Sequence, residues 1–282
     1  MVRILGFVLL ALVLFGLVAV WYGGSHWQAQ TQALRSGLKT APPSLACYDP
    51  QELEGLPPPV QRYFRAVLSE GQPLVHSVYI RHTGTFNLSE NGDHWRPFTS
   101  TQWVTTQPPG FLWDAQIPML PGVVARVHDA YIQGEGILHA ALLGLIPLVH
   151  LQDRTETAAG ELMRWFAETA WYPTALLPSQ GVQWDPVDDS SAWATIRDGD
   201  LSLRLLFHFD AEGLIQTVRA EARGRAVGGE VIPTPWEGRW SAYERRQGML
   251  VPTQGEVAWI LADGAKPYWR GQITELAYEF NQ

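Results

Sequence analysis

The chain has 282 residues, enough beyond the first 50 or so for a real core, so size alone requires neither a metal nor a disulfide. Only 17% of residues are charged, against an ordinary value of about 25%, and 13 Trp, 20 Pro and 26 Gly stand out. That balance excludes disorder and points to strands and tight turns, while a net charge of −8 with scattered Arg excludes a nucleic-acid partner.

In chain order, Ile4 to Tyr22 carries no charge and no proline. At 1.5 Å per residue it would reach roughly 28 Å as a helix, close to the thickness of a bilayer core. Arg3 precedes it, and Trp21, Tyr22 and Trp27 follow where the membrane interface would lie. Leu17-Val18-Ala19-Val20-Trp21 is a poor small-x-small cleavage site and the apolar run is long for a signal peptide, so residues 1–22 are expected to be an uncleaved transmembrane anchor rather than a removed signal peptide. The expected location is therefore a cell membrane, single-pass, with the bulk of the chain extracytoplasmic. Residues 23–59 read as a linker ending in the Pro-rich spacer Leu56-Pro57-Pro58-Pro59, and residues 60–282 as a single β-rich domain. The lone Cys47 falls in the linker with no activating neighbour and is expected to be inert.

Val60 to Leu68 has the period of a short amphipathic helix, with Val60, Tyr63, Phe64 and Val67 on one face. That face either packs as a cap on the sheet, the favoured reading, or touches lipid. From Leu74 the period becomes two, and Asn91-Gly92 marks a turn before a second run from Trp95 to Thr106. Gly136 to Leu151 is the most apolar stretch of the domain. Interrupted by Pro147, it is either a core element or an exposed apolar lip. A helix is expected over about 158–172, stopped by Pro173, with Glu161, Arg164 and Glu168 in one polar row bordered by Trp165, Trp171 and Tyr172. Alternation resumes at Leu201–Phe209 and again at Gln272–Phe280. The fold class that follows is mainly β with few helices. It combines an N-terminal transmembrane helix with a curved antiparallel sheet, a half-barrel, closed by the helix at about 158–172.

Several motifs resemble an uncharacterised bacterial family, known only as a domain of unknown function, whose members often carry an N-terminal span. They include Pro108-Pro109-Gly110-Phe111-x-Trp113, Asp129-Ala130-Tyr131-x-x-Gly134-x-Gly136, Glu161-Leu162-Met163-Arg164-Trp165-x-Ala167-Glu168 and Tyr268-Trp269-Arg270-Gly271. The resemblance covers nearly everything after the linker and implies no activity. A looser likeness, in layout only, is to the lipoprotein-carrier fold, a curved sheet wrapped around helices.

The chain has no Gly-x-Ser-x-Gly elbow, no Walker-type loop and no paired-His metal helix. We therefore assign no catalytic residue, no metal ligand and no cofactor; His128-Asp129 is a weak metal or base candidate. The candidate ligand-binding residues are charges set beside large aromatics: Arg126, Asp129, Glu161, Arg164, Trp165, Glu168, Trp171, Tyr172, Trp236, Glu237, Arg239, Trp269 and Arg270. Such groups either satisfy one another in a Trp-rich core or anchor a ligand. The expected partners are the membrane, through the N-terminal helix, and a hydrophobic or lipid-like molecule bound without catalysis. An envelope hydrolase or transferase using Glu161 or Glu168 with Arg164 is the alternative, and a structural assembly protein a third.

Overall fold

The period-two segments form strands throughout the computed structural model, which describes residues 2–40, 46–89, 92–152, 154–228 and 230–280. The first six are β1 (Val75–Asn87), β2 (Trp95–Thr105), β3 (Gly110–Leu120), β4 (Val123–Ile132), β5 (Glu135–Leu142) and β6 (Ile146–Leu151). Four strands follow: β7 (Gln183–Asp188), β8 (Ser191–Asp198), β9 (Leu201–Phe209) and β10 (Ile215–Val227). The last three are β11 (Glu230–Arg246), β12 (Met249–Leu261) and β13 (Gly264–Phe280). All thirteen lie in one antiparallel sheet, ordered β6-β5-β4-β3-β2-β1-β13-β12-β11-β10-β9-β8-β7. Of the expected Asn91-Gly92 turn, Asn91 lies outside the described residues.

This order makes two meanders joined at a seam. Strands β1 to β6 step outward to one edge, β7 to β13 step inward from the other, and β1 pairs with β13. The chain must therefore cross from edge to edge between β6 and β7. It does so with α3 (Thr155–Ala167) and three 3-10 turns, Glu168–Trp171, Pro173–Leu176 and Pro178–Gln180. The helix expected over 158–172 thus starts earlier and tightens at Glu168, before Pro173, whose missing N–H would have broken it. Each edge strand carries a proline, Pro147 in β6 and Pro186 in β7, which blocks pairing with another chain.

The hollow of the sheet is filled mainly by α3, by α2 (Pro58–Val67) and by aromatic side chains. Pro58 and Pro59 open α2, because proline's fixed φ suits a first helical turn. Val60, Tyr63, Phe64 and Val67 are completely buried, so α2 caps the core and leaves no apolar face for lipid. At the seam the sheet has little side-chain bulk. Gly84, Gly271 and Gly255 are cross-strand neighbours on β1, β13 and β12. A Cβ at Gly271 would sit 2.2 Å from the Trp269 ring, and one at Gly255 would sit 2.7 Å from the Trp240 ring. These indoles lie where side chains are missing, covering glycine backbone with aromatic surface.

The segment expected as a linker is different at its start. Helix α1 (Val2–Gly37) runs unbroken through Gly23 and Gly24, and its second half packs on the outer face of β3, β4 and β5. Gly23, Trp27, Thr31, Leu34 and Leu38 recur at helical spacing and face the sheet. Trp27 Nε1 donates to Asp114 Oδ1 at 3.0 Å, and its ring stacks on His128 with centroids 3.9 Å apart. Thr31 Oγ1 lies 3.0 Å from Asp114 Oδ2 and 2.8 Å from His128 Nε2. Burial first, then His139 and Arg126, push the His128 pKa down to about 3, so this imidazole docks neutral. Counted over the described residues, no helix is long and apolar enough to cross a membrane. Several side chains in the first half of α1 fall outside that description.

Two glycines separate backbone economy from packing. A Cβ at Gly84 would meet the Arg270 carbonyl oxygen at 1.9 Å, whereas one at Gly160 in α3 meets nothing within 4 Å. Gly84→Ala is expected to cost about 2–3 kcal/mol through overpacking. Gly160→Ala is expected to gain about 0.8–1 kcal/mol of helix propensity. Urea denaturation of the two variants checks both signs.

Candidate functional site

Between α3 and the sheet lies a cavity of about 300 Å³. One wall is α3, with Gly160, Glu161 and Arg164, followed by Glu168 and Trp171 in the next turn. The others come from β1, β3 to β6 and β10 to β13, through Phe86, Trp113, Val127, Leu138, Leu151, Trp236, Val257, Trp259, Tyr268 and Trp269. Helix α3 can lie this close because β5 offers no side chain at Gly136, where a Cβ would come within 2.5 Å of the Thr157–Ala158 backbone.

The polar part of the cavity centres on Arg164. Its guanidinium pairs with Asp129 Oδ2, donates from Nε to Glu168 Oε1 at 2.8 Å, and lies 4.9 Å from the ring centres of both Phe111 and Trp113. Gln102, fully buried on β2, donates to the second Glu168 oxygen at 2.6 Å. Burial opposes the Arg164 charge, but Glu168 and Asp129 outweigh it and raise the pKa above its already high value, so the side chain stays cationic. Glu161 behaves oppositely. Burial first, then Asp129, raise its pKa well above the ordinary 4.5. Glu161 Oε2 and Asp129 Oδ1 both lack a donor among the described residues, and a proton on Glu161 shared with Asp129 satisfies both.

Three residues that line the cavity carry unpaired donors buried in the surrounding packing. The indole N–H of Trp113, Trp171 and Trp240 each lacks an acceptor among the described protein atoms. Trp236, by contrast, donates to the Tyr268 hydroxyl at 2.8 Å. Beneath them His82 is buried against Trp171, and burial, then Arg164, push its pKa down to about 3. Among the described residues no group of His, Cys, Asp or Glu is arranged to hold a metal ion.

The structure divides the candidate residues of the sequence into four sets. Asp129, Glu161, Arg164, Glu168, Trp171, Trp236 and Trp269 meet at the cavity. Trp165 and Tyr172 do not reach it. Both are buried, with Trp165 Nε1 donating to the Thr105 carbonyl at 3.0 Å and Tyr172 Oη to the Trp165 carbonyl at 2.7 Å. Glu237, Arg239 and Arg270 line an open polar groove of about 940 Å³ on the other face of the sheet, because alternation turns them away from Trp236 and Trp269. Arg126 lies on the α1 side, since β4 points Asp129 inward and Arg126 outward.

Residues 54–278 match the family described as Family of unknown function (DUF6920). The chain belongs to that family. The DUF6920 region spans α2, the whole of α3 and nearly all of the sheet, so the cavity lies inside it and α1 outside. A comparison with curated proteins found no match. Among solved structures, the LolA superfamily protein NE2245 from Nitrosomonas europaea is 10% identical, covering 72% of this chain and 86% of that one, with a TM-score of 0.32. A β-barrel-like protein of domain of unknown function DUF1849 from Brucella abortus is 9% identical, covering 74% of this chain and all of that one, with a TM-score of 0.22. Similarity at this level is a likeness of layout and does not bear on ligand or activity.

Sequence reasoning missed Arg223 and the indoles Trp113, Trp240 and Trp259 at the cavity, and Gln102 buried behind Glu168. Gln102 sits in an ordinary alternating strand, and nothing in its sequence neighbourhood announces a partner 66 residues away.

Arg164→Leu is expected to cost about 3–5 kcal/mol, because Asp129 and Glu168 would be left buried without their counter-charge. A urea midpoint shift reads that loss. Glu161 gives a second expectation. The unfolded chain releases this proton near 4.5, while the folded protein keeps it to higher pH. The site's stabilisation is therefore full below 4.5 and declines as pH rises through the folded value. Glu161→Gln, which imitates the protonated acid, should remove that decline in denaturation curves recorded across the same range.

Proposed function

We propose that this protein is a membrane-anchored domain, with the bulk of the chain extracytoplasmic, that binds a hydrophobic or lipid-like molecule without converting it. The observation that carries this reading is the aromatic-walled cavity with its few polar anchors, the lining typical of small-molecule sites. A filled core would have favoured assembly, and a small polar cleft catalysis. At about 300 Å³ the cavity is at the lower end of ligand pockets, so it suits one chain or the tail of a larger amphiphile.

Support for the anchor comes from the uncharged run Ile4–Tyr22 and from its isolation. Ile4, Phe7, Leu10, Leu14, Leu17 and Val18 are each more than half exposed, which for an apolar helix in water is unfavourable and in lipid is not.

Native mass spectrometry of the full chain, purified from its own membranes, tests the reading. A stoichiometric co-purifying amphiphile supports it, and a reproducibly empty protein counts against it. Trp259→Ala removes one ring from the cavity wall and should weaken binding of a fluorescent acyl-ester probe about 5–10-fold.

A second reading, an envelope hydrolase or transferase, draws on Glu161, which holds a proton in an apolar hollow beside Asp129 as a general acid would. Glu161→Gln separates the two readings. Turnover of a scissile ester would disappear if the residue were an acid catalyst, while plain binding would persist.

A further inference from the structure

Strand β6 poses a physical problem that the cavity does not answer. It is the sheet edge, and Ile146, Leu148 and Val149 on it are exposed, Ile146 by 58%. Beside them Leu145 is partly exposed in the β5–β6 turn, and Leu120 is 67% exposed at the β3–β4 turn. The two turns are neighbours, because Leu143 N–H donates to the Val124 carbonyl at 2.8 Å. Grouped apolar side chains of this kind mark a surface that something covers.

The path of α1 bears on what could cover it. At Gly37 the helix lies by the β4–β5 turn, where Gln133 Nε2 donates to the Gly37 carbonyl at 3.0 Å. At Gly23 it reaches the opposite end of those strands, so close to the Leu143 carbonyl and Leu145 that a Cβ would not fit. Residues before Gly23 therefore project past the apolar turns, led by Trp21 and Tyr22, which are 71% and 57% exposed. Those two are the residue types that settle at the headgroup level of a bilayer. Arg126 adds a charge at the same height: one of its terminal nitrogens is 3.8 Å from where a Gly24 Cβ would be, and it forms no ion pair among the described residues.

We propose that β6 and the β3–β4 turn form a lip that beds into the bilayer surface where α1 enters, with Arg126 at the depth of the lipid phosphates. Apolar side chains at that depth leave water for acyl chain, and the guanidinium meets an anionic oxygen. The lip also leads inward. Leu151 at the end of β6 and Leu138 beside it on β5 both line the cavity, so an amphiphile leaving the membrane along β6 stays on apolar surface. This inference rests on the anchored reading above and adds a defined face of the domain to it.

The test uses the full chain in phosphatidylcholine–phosphatidylglycerol nanodiscs, with Cys47 replaced by Ser and one nitroxide-labelled cysteine at a time. Collision with oxygen, which concentrates in lipid, is compared with collision with a nickel chelate, which stays in water. Leu10→Cys, Leu120→Cys, Ile146→Cys and Leu148→Cys should all favour oxygen. Ser36→Cys, about 20 Å along α1 from Gly23, should favour nickel. Lip labels in water while Leu10→Cys is in lipid would overturn the lip and leave the anchor standing. Lip labels shielded from both reagents would show a protein over this edge and also overturn it. A water-exposed Leu10→Cys would remove the anchor, and the lip with it.

Discussion

A single guanidinium, that of Arg164, fixes how the helix sits in its sheet. An arginine in a hollow of this kind costs several kcal/mol unless its charge and its donors are met. Arg164 meets them from three neighbouring strands, through Asp129 on β4, Gln102 on β2 and the Phe111 and Trp113 rings on β3, with Glu168 from its own chain turn. Those partners stand at one level of the sheet, so α3 has one height and one rotation at which its charge is satisfied. The ion cluster is then a register device as much as a candidate binding group. Hydrophobic packing alone would let a helix slide along a curved aromatic wall.

The strand pattern was legible because burial on one face imposes period two, and Leu201–Phe209 shows it with no ambiguity. The buried face of α2 was legible for the same reason at period 3.6. The polar row of α3 was readable as a group, and Asp129 could be suspected from its aromatic company. Other features depend on distance in space. Arg126 and Asp129 look equivalent in sequence, yet three residues on a strand put them on opposite faces. Trp165 and Trp171 both border the helix row, but the tightening at Glu168 turns Trp171 to the cavity and leaves Trp165 in the core. The docking stripe of α1 was present as Trp27, Thr31, Leu34 and Leu38, overlooked because the polar residues between them resemble a linker. For Gly136–Leu151 the two expectations each hold for one strand: β5 buries Ile137 and Ala141, whereas β6 is exposed.

The two faces of the sheet carry separate chemistry. Inside, Arg164 and Arg223 stand among acids and indoles around a hollow. Outside, α1 covers a neutral His128 and an Asp114 whose pKa burial raises. Opening either layer exposes different groups to water, and the strands of β3 and β4 belong to both. A change in how α1 sits therefore acts on the backs of the strands whose fronts hold Asp129 and Trp113.

The row of Gly84, Gly271 and Gly255 gives this division a physical limit. All three border the outer groove, and the Trp240 and Trp269 rings that lie over Gly255 and Gly271 border the cavity. At that seam the partition between the two spaces is a single layer of peptide backbone with an indole on one side. Peptide groups there feel both compartments at once, and an occupant of the groove would rest only one amide plane away from the aromatic lining within. This bare stretch of wall lies at the join between the first and last strands of the sheet, so the pairing that completes the fold also leaves its two surfaces one peptide layer apart there.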